Sequence, residues 1–383
     1  MNKFAGIAGK ITGSLVISLY YQPLLASQAQ SQSLPYSDDA SALGIMEISL
    51  KDIVTPNIGF QGALQGAGTP NQAGIGGFLP LSIGENNVFF VDVLANANFA
   101  DFDDYSSIIN TNVAGTTIST SSRLGYRWLN DDRSWMFGVN AGYDSRPMNT
   151  GDSNQPFTFY QKDRFFQQVA AGFEAVNNDW DFNAYALVPV GTSEYVLNNY
   201  FSRDSNGDLR LGRHTGGALS TYGLDVGYQL ADNLLASVGY YYQKGDQITA
   251  ADGSGVDLSL SYEAIPDLIF GANLSYDEAF ETRVSGTITY RFNNYKNESV
   301  KKKVYSTPVL AALSDTIDHR DVRVHDKGTP KCGASCVANA QAQKTGVTSY
   351  VSEAVQCTAA AAQGGVDPVS DAICAARVAG NKP

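Results

Sequence analysis

From Ser122 to Pro147 the chain reads SRLGYRWLNDDRSWMFGVNAGYDSRP, and its residues sort alternately onto two unlike faces. Leu124, Tyr126 and Trp128 alternate with Arg123, Gly125 and Arg127. Past Asn130-Asp131-Asp132-Arg133, Trp135, Phe137, Val139, Ala141 and Tyr143 alternate with Met136, Gly138, Asn140, Gly142 and Asp144. A period of two belongs to a β-strand, and a four-residue polar turn between two such runs makes a hairpin. The pattern extends from Asn57 to Phe292 and predicts about twelve strands, near 57–66, 76–84, 88–101, 117–130, 134–146, 165–177, 180–191, 217–231, 234–245, 254–265, 268–277 and 282–292. What the apolar face touches, a soluble core or lipid, is the question this raises.

The connections discriminate between the two. Glu85-Asn86-Asn87, Asn130 to Arg133, Asn177-Asn178-Asp179, Ala231-Asp232-Asn233 and Ala264 to Asp267 are short. Asp101 to Thr116, Pro147 to Arg164, Thr192 to Gly216 and Asp246 to Gly253 are longer and polar. Short and long alternate along the chain, as in a bacterial outer-membrane barrel with short periplasmic turns and longer outer loops. A soluble sandwich gives no reason for that order. Trp128, Trp135 and Trp180 flank predicted short turns, with Tyr228, Tyr262, Tyr290 and Phe292 at the same rim; Tyr143, Tyr240, Tyr242 and Tyr276 fall at the other. Two aromatic girdles at the lipid headgroup zones are the expected signature. The fold expected is therefore all-β, an antiparallel transmembrane β-barrel.

The two ends differ from this middle. Lys3 and Lys10, the apolar run Leu15 to Leu19, Leu24 and Leu25, then Ser27 and Ala29 read as an export signal cleaved after Ala29. Residues 30–56 form a polar periplasmic lead whose apolar patch, Leu43 to Ile53, predicts a short helix. Charge is uneven: Gln30 to Phe292 holds 13 Lys and Arg against 30 Asp and Glu, while Asn293 to Pro383 holds 11 against 8. The net charge of -12 argues against a nucleic-acid partner. Residues 293–327 read as a linker in which Asn293 to Thr307, with Lys301-Lys302-Lys303, either fills an acidic lumen or lies in the periplasm. Residues 328–383 form a Cys- and Ala-rich tail, read as short helices. Cys332, Cys336, Cys357 and Cys374 read first as disulfide partners in an exported chain, and no His lies among them to favour a metal.

Little here points to catalysis. His214 is the only histidine in the strand region, and His319 and His325 belong to the tail. Asp204, Asn206 and Asp208 start like a calcium loop, but Leu209 stands where Gly is required, so an acidic turn is the better reading. No catalytic group, metal or cofactor is expected. Arg123 and Arg127 project from the polar face opposite Asp144 and Glu174. They form either a lumen cluster that binds a threaded tail or sets ion preference, or a salt-bridge network that stiffens the barrel. The second is preferred, because buried charges need partners in any case.

LGYRWLNDDRSWMFGVNAGYDSRP, followed by FQQVAAGFEAVNNDWDFNAYALVPVG, resembles the β-domain of inverse autotransporters, the intimin and invasin family. The residues carrying the resemblance are Gly125, Arg127, Trp135, Gly138, Asn140, Asp144, Gly172, Glu174, Asn183, Tyr185 and Pro189. The resemblance spans 57–292 and implies a twelve-stranded barrel in a Gram-negative-type outer membrane with a periplasmic N-terminus. It also implies that the chain beyond the last strand passes back through the lumen to display a passenger. Partners so implied are outer-membrane lipid, the barrel-assembly machinery (for which Tyr290-Arg291-Phe292 reads as a terminal signal) and a surface ligand met by the tail or loops. Here no peptidoglycan-binding repeat precedes the barrel, and no immunoglobulin-like or lectin module is recognisable in the 91 residues after Phe292. The remaining readings are a porin-like channel with an acidic lumen and a structural protein acting through its outer loops.

Overall fold

The computed structural model describes residues 48–66, 68–100, 108–150, 162–203, 209–245, 248, 251–293, 295 and 298–332. Twelve antiparallel strands close into a barrel: β1 (Asn57–Leu64), β2 (Gln72–Ile83), β3 (Asn87–Asn98), β5 (Thr117–Leu129), β6 (Met136–Thr150), β7 (Lys162–Val176), β8 (Trp180–Pro189), β11 (Ser220–Ala231), β12 (Leu234–Lys244), β13 (Gly253–Ile265), β14 (Leu268–Asp277) and β15 (Glu281–Asn293). Neighbours in the ring follow chain order, and β1 pairs with β15 from Asn57↔Asn293 to Leu64↔Gly286, so no edge remains. Closure matters because an open strand edge in hydrocarbon would leave backbone groups unpaired.

The alternation read from the sequence sorts the wall. On β5, Leu124 is 49 % and Tyr126 40 % exposed, while Arg123 and Arg127 are each 2 % exposed. Every one of the twelve strands presents large apolar side chains outward, from Phe60 on β1 through Val169 on β7 to Ile288 on β15. Soluble monomers rarely expose a contiguous apolar patch beyond roughly 300–600 Å². A band encircling the whole barrel is a lipid-facing surface, and the fold is that of an outer-membrane β-barrel. Among the described residues no helix is long and apolar enough to cross a membrane.

Short connections gather at one rim and the longer ones at the other, which also has two short ones, Gln65–Asn71 and Glu278–Phe280. The long loop expected at Thr192–Gly216 contains a hairpin, β9 (Glu194–Arg203) and β10 (Leu209–Ala218), and β16 (Val324–Cys332) adds to it in the order β16-β10-β9. Its composition reads as a loop because much of its strand stability comes from β16, more than a hundred residues away. A two-residue strand, β4 (Val113–Ala114), extends β6 at the same end.

At the short-turn rim a helix at Leu50–Ile53 falls within the patch read as helical, and helices at Glu298–Tyr305 and Pro308–Ala311 lie with it across the mouth. Leu50, Ile53, Val304, Val309, Leu310 and Leu313 pack there against Phe78, Val88 and Phe90 of the inner wall. The amphipathic Glu298–Tyr305 segment is thus a lid. Residues 1–47, with the signal and Ala29, lie outside the described residues, as do Asp204, Asn206, Asp208 and the tail from 333. Of the cysteines, Cys336, Cys357 and Cys374 lie there too; Cys332 is described only as backbone, in a strand rather than a helix.

Candidate functional site

The lumen is where the chemistry collects. Arg123 meets Asp144 through two hydrogen bonds of 2.6 and 2.8 Å, and Arg127 meets Glu174 through two of 2.8 and 3.1 Å. Register brings them together: Arg127 faces Gly138 on β6, which faces Glu174 on β7. A Cβ on Gly138 would stand 2.6 Å from Glu174 Oε2, so glycine leaves the gap the ion pair occupies. Gly125 does the same for Phe90, whose ring would be 2.3 Å from an added Cβ and carries the Arg127 guanidinium at 4.7 Å. The Gly-x-Arg spacing is therefore a packing unit: the glycine admits the ring that the arginine covers.

Both arginines also touch a segment of their own chain. Arg127 Nη1 donates to the Asp315 carbonyl at 2.7 Å, and Arg123 Nη2 to the His319 carbonyl at 3.3 Å. Residues 315–323, without regular secondary structure, run from the lid along the lumen to the long-loop rim. Arg291 pairs with Asp315; the Asp92 carboxylate accepts from Ile317 N at 3.1 Å and pairs with Arg320 at 2.8 Å. His319, at φ 54, pairs with Asp225 at 2.6 Å and stacks on Tyr185 at 3.7 Å. That backbone conformation is costly for a residue with a Cβ, and three wall contacts hold it. Gln65 and Gln72 donate to the Asp321 carboxylate at 3.1 and 2.9 Å, and Arg146 donates to the Val322 carbonyl at 2.8 Å.

At the long-loop rim, Leu219 N donates to the Arg323 carbonyl at 2.9 Å and Val324 N to the Gly68 carbonyl at 3.1 Å, and the chain continues as β16. The buried Asp326 carboxylate accepts from the Asn110 backbone at 2.9 Å, the Asn110 side chain at 3.1 Å and Thr111 Oγ1 at 2.5 Å. A polar cavity of about 150 Å³ remains beside the segment, bordered by Gln65, Tyr185, Asn273, Arg283, His319 and Arg323.

The crossing segment is later in the chain than Asn293–Thr307, a stretch that the sequence left open between the lumen and the periplasm. That stretch has an apolar face (Val300 and Val304) which the lid buries, so it folds as helix at the mouth. Lys301 reaches Asp267 at 3.9 Å, and burial together with its hydrogen bond to Asp267 pushes the Tyr305 phenol up. Sequence reading gave no role to Asp92, Arg146, Asp225, His319, Arg320 and Asp321. A usable signal was present in Asp315-Thr-Ile-Asp-His-Arg-Asp-Val-Arg323, where both signs of charge crowd into nine residues.

The aromatic residues form a partial belt. Tyr126, Trp128, Phe137, Trp135, Phe182, Trp180 and Tyr228 make consecutive ring contacts at 4.8–6.2 Å along the short-turn rim. Tyr290 and Phe292 meet at 4.7 Å, and Phe292 meets Phe60 at 6.0 Å. Towards the other rim, the Tyr240 hydroxyl lies 2.6 Å from Ser254 Oγ, and Tyr143 donates to Gln167 at 2.6 Å.

No protein-family profile and no curated protein matches the chain. Solved structures do. A membrane protein from work on the mechanism of in-meso crystallization is 12 % identical over 71 % of this chain and 100 % of that one, with a TM-score of 0.48. The KdgM porin is 9 % identical over 62 % and 99 %, with a TM-score of 0.32. Outer membrane phospholipase A from Escherichia coli is 14 % identical over 64 % and 98 %, with a TM-score of 0.31. At such identities and scores no shared activity follows. None of these comparisons places the chain in the intimin and invasin family.

Proposed function

We propose that this chain is an outer-membrane barrel of inverse-autotransporter type that anchors its C-terminal segment and carries it to the cell surface. The observation behind this reading is the course of residues 315–323, which join the lid at one mouth to β16 at the other. In this orientation the short-turn rim faces the periplasm, the N-terminal signal has directed export, and the barrel-assembly machinery has inserted the wall. The tail and long loops then meet a surface ligand, as in adhesion.

An epitope placed after Pro383 tests the reading on intact cells. Antibody labelling and removal by an external protease are expected. Detection only after the outer membrane is breached overturns it. A channel with an acidic lumen is the opposite outcome, and it requires residues 315–323 to leave the lumen; steady conductance of the full chain in a planar bilayer would favour it.

A further inference from the structure

The contacts to the lumen segment divide by what they bind and by where they sit. Side chains of the segment are gripped from β1 to β3, β11 and β15: Gln65, just past β1, and Gln72 hold Asp321, Asp92 holds Arg320, Asp225 holds His319 and Arg291 holds Asp315. Among the described residues, main chain is met on this arc only by Asp92, which also accepts from Ile317 N, and by Leu219 N at the rim, which donates to the Arg323 carbonyl. The arc β5-β6-β7 behaves differently. There Arg127 donates to the Asp315 carbonyl, Arg123 to that of His319, Gln168 to that of Asp321 at 3.4 Å, and Arg146 to that of Val322. Apart from a contact of Ser121 with Arg320 at 3.2 Å, these strands address main chain.

The order along the wall matches the order along the segment. Arg127 lies near the short-turn end of β5, Arg123 one step further in, Gln168 further again in the β7 register, and Arg146 towards the long-loop end of β6. Carbonyls of residues 315, 319, 321 and 322 meet them in that sequence. The donors are preorganised. Glu174 takes Nε and Nη2 of Arg127 and leaves Nη1 for the carbonyl, and Asp144 fixes both terminal nitrogens of Arg123. A guanidinium is permanently charged and planar, so it keeps offering N–H groups when one acceptor is exchanged for another. Every peptide unit carries a carbonyl, whatever its side chain.

We propose that Arg127, Arg123, Gln168 and Arg146 form a track whose ligand is the main chain of a passing polypeptide, independent of its sequence. The track rests on the translocation reading above and names what that site binds. The side-chain contacts of the opposite arc have a separate role: they hold residues 315–323 in place once transit has ended. Transit and docking therefore use different strands of one wall.

The test measures how fast an epitope after Pro383 becomes accessible on intact cells, with barrel assembly checked by heat-modifiable migration. The barrel variant removes both ion pairs together, Arg127→Gln with Glu174→Gln and Arg123→Gln with Asp144→Asn, so that no buried charge is stranded. A second variant replaces residues 315–323 by nine uncharged polar residues in the unaltered barrel. The track predicts display slowed about tenfold in the first. It predicts display at the unaltered rate in the second, together with a lowered Tm of the purified full chain.

Equal display by the assembled barrel variant, or loss of display with the uncharged segment, overturns the track while leaving translocation standing. Absence of the epitope from the surface in the unaltered chain sinks the translocation reading and the track with it. If the barrel variant does not assemble, the uncharged segment decides alone.

Discussion

The two mouths of the barrel are closed by unlike means. At the short-turn mouth, helices lay Leu50, Ile53, Val304, Leu310 and Leu313 against Phe78 and Phe90, and burial of apolar surface does most of the holding. At the long-loop mouth an apolar cluster of Ile108, Met148, Phe166, Leu197 and Val322 is also present, but directional bonds stitch the chain around it. Asp326 collects donors from Asn110 and Thr111, Thr150 bonds the Leu197 carbonyl at 2.7 Å, and Arg164 bonds that of Val196 at 2.7 Å. Apolar packing accepts any filler of the right volume, whereas a ring of donors is satisfied best by a group that only accepts, such as a carboxylate. One mouth should forgive shape-conserving change, and the other should not.

The largest effect is expected from emptying the lid. Leu310→Ala and Leu313→Ala should each cost about 2–5 kcal/mol, because both side chains are fully enclosed and leave cavities. Thermal unfolding of the detergent-purified chain measures this, and losses under about 1 kcal/mol would show that the lid is not packed. Next comes Asp326→Asn at the other mouth. An amide replaces one accepting oxygen by an N–H₂ beside the donor-only Asn110 N–H groups and the Thr111 hydroxyl, which must turn round to accept, and a cost of about 1.5–3 kcal/mol is expected. Faster hydrogen exchange at residues 108–111 and 324–328, with none at the lid, is the pattern to look for. Unchanged exchange there would remove the contrast between the mouths.

Leu313→Met sharpens it from the other direction: volume is kept, so the loss should stay below about 1.5 kcal/mol. The smallest effect belongs to the lipid face. Tyr240→Phe forfeits one exposed hydrogen bond to Ser254 and should fall within about 1 kcal/mol, read from the same unfolding curves.

The wall was legible in the sequence because period two is a local signal that lipid on one side and charge on the other make strong. Residues such as Leu124 and Arg127 announce their faces without knowledge of any distant partner. The β1–β15 seam needed only an even strand count. The lumen segment was harder. His319, Arg320 and Asp321 find their partners at Asp225, Asp92 and Gln72, between 94 and 249 residues away, and no local pattern encodes such pairs. The β9–β10 hairpin was missed for a related reason, since β16 completes its sheet. The helix at Glu298–Tyr305 went unread because its basic run drew attention to Lys301 rather than to Val304.

A chain that passes through a closed ring is mechanically interlocked with it. A pull on the chain beyond Cys332, directed away from the barrel, would load the β16–β10 ladder along its strands, so that its hydrogen bonds resist together in shear instead of opening one by one. Force reaching residues 315–323 would then draw the lid up against its own mouth and tighten its packing. The arrangement works like a stopper knot: tension from one side seats it, and only a pull from the other side would free it.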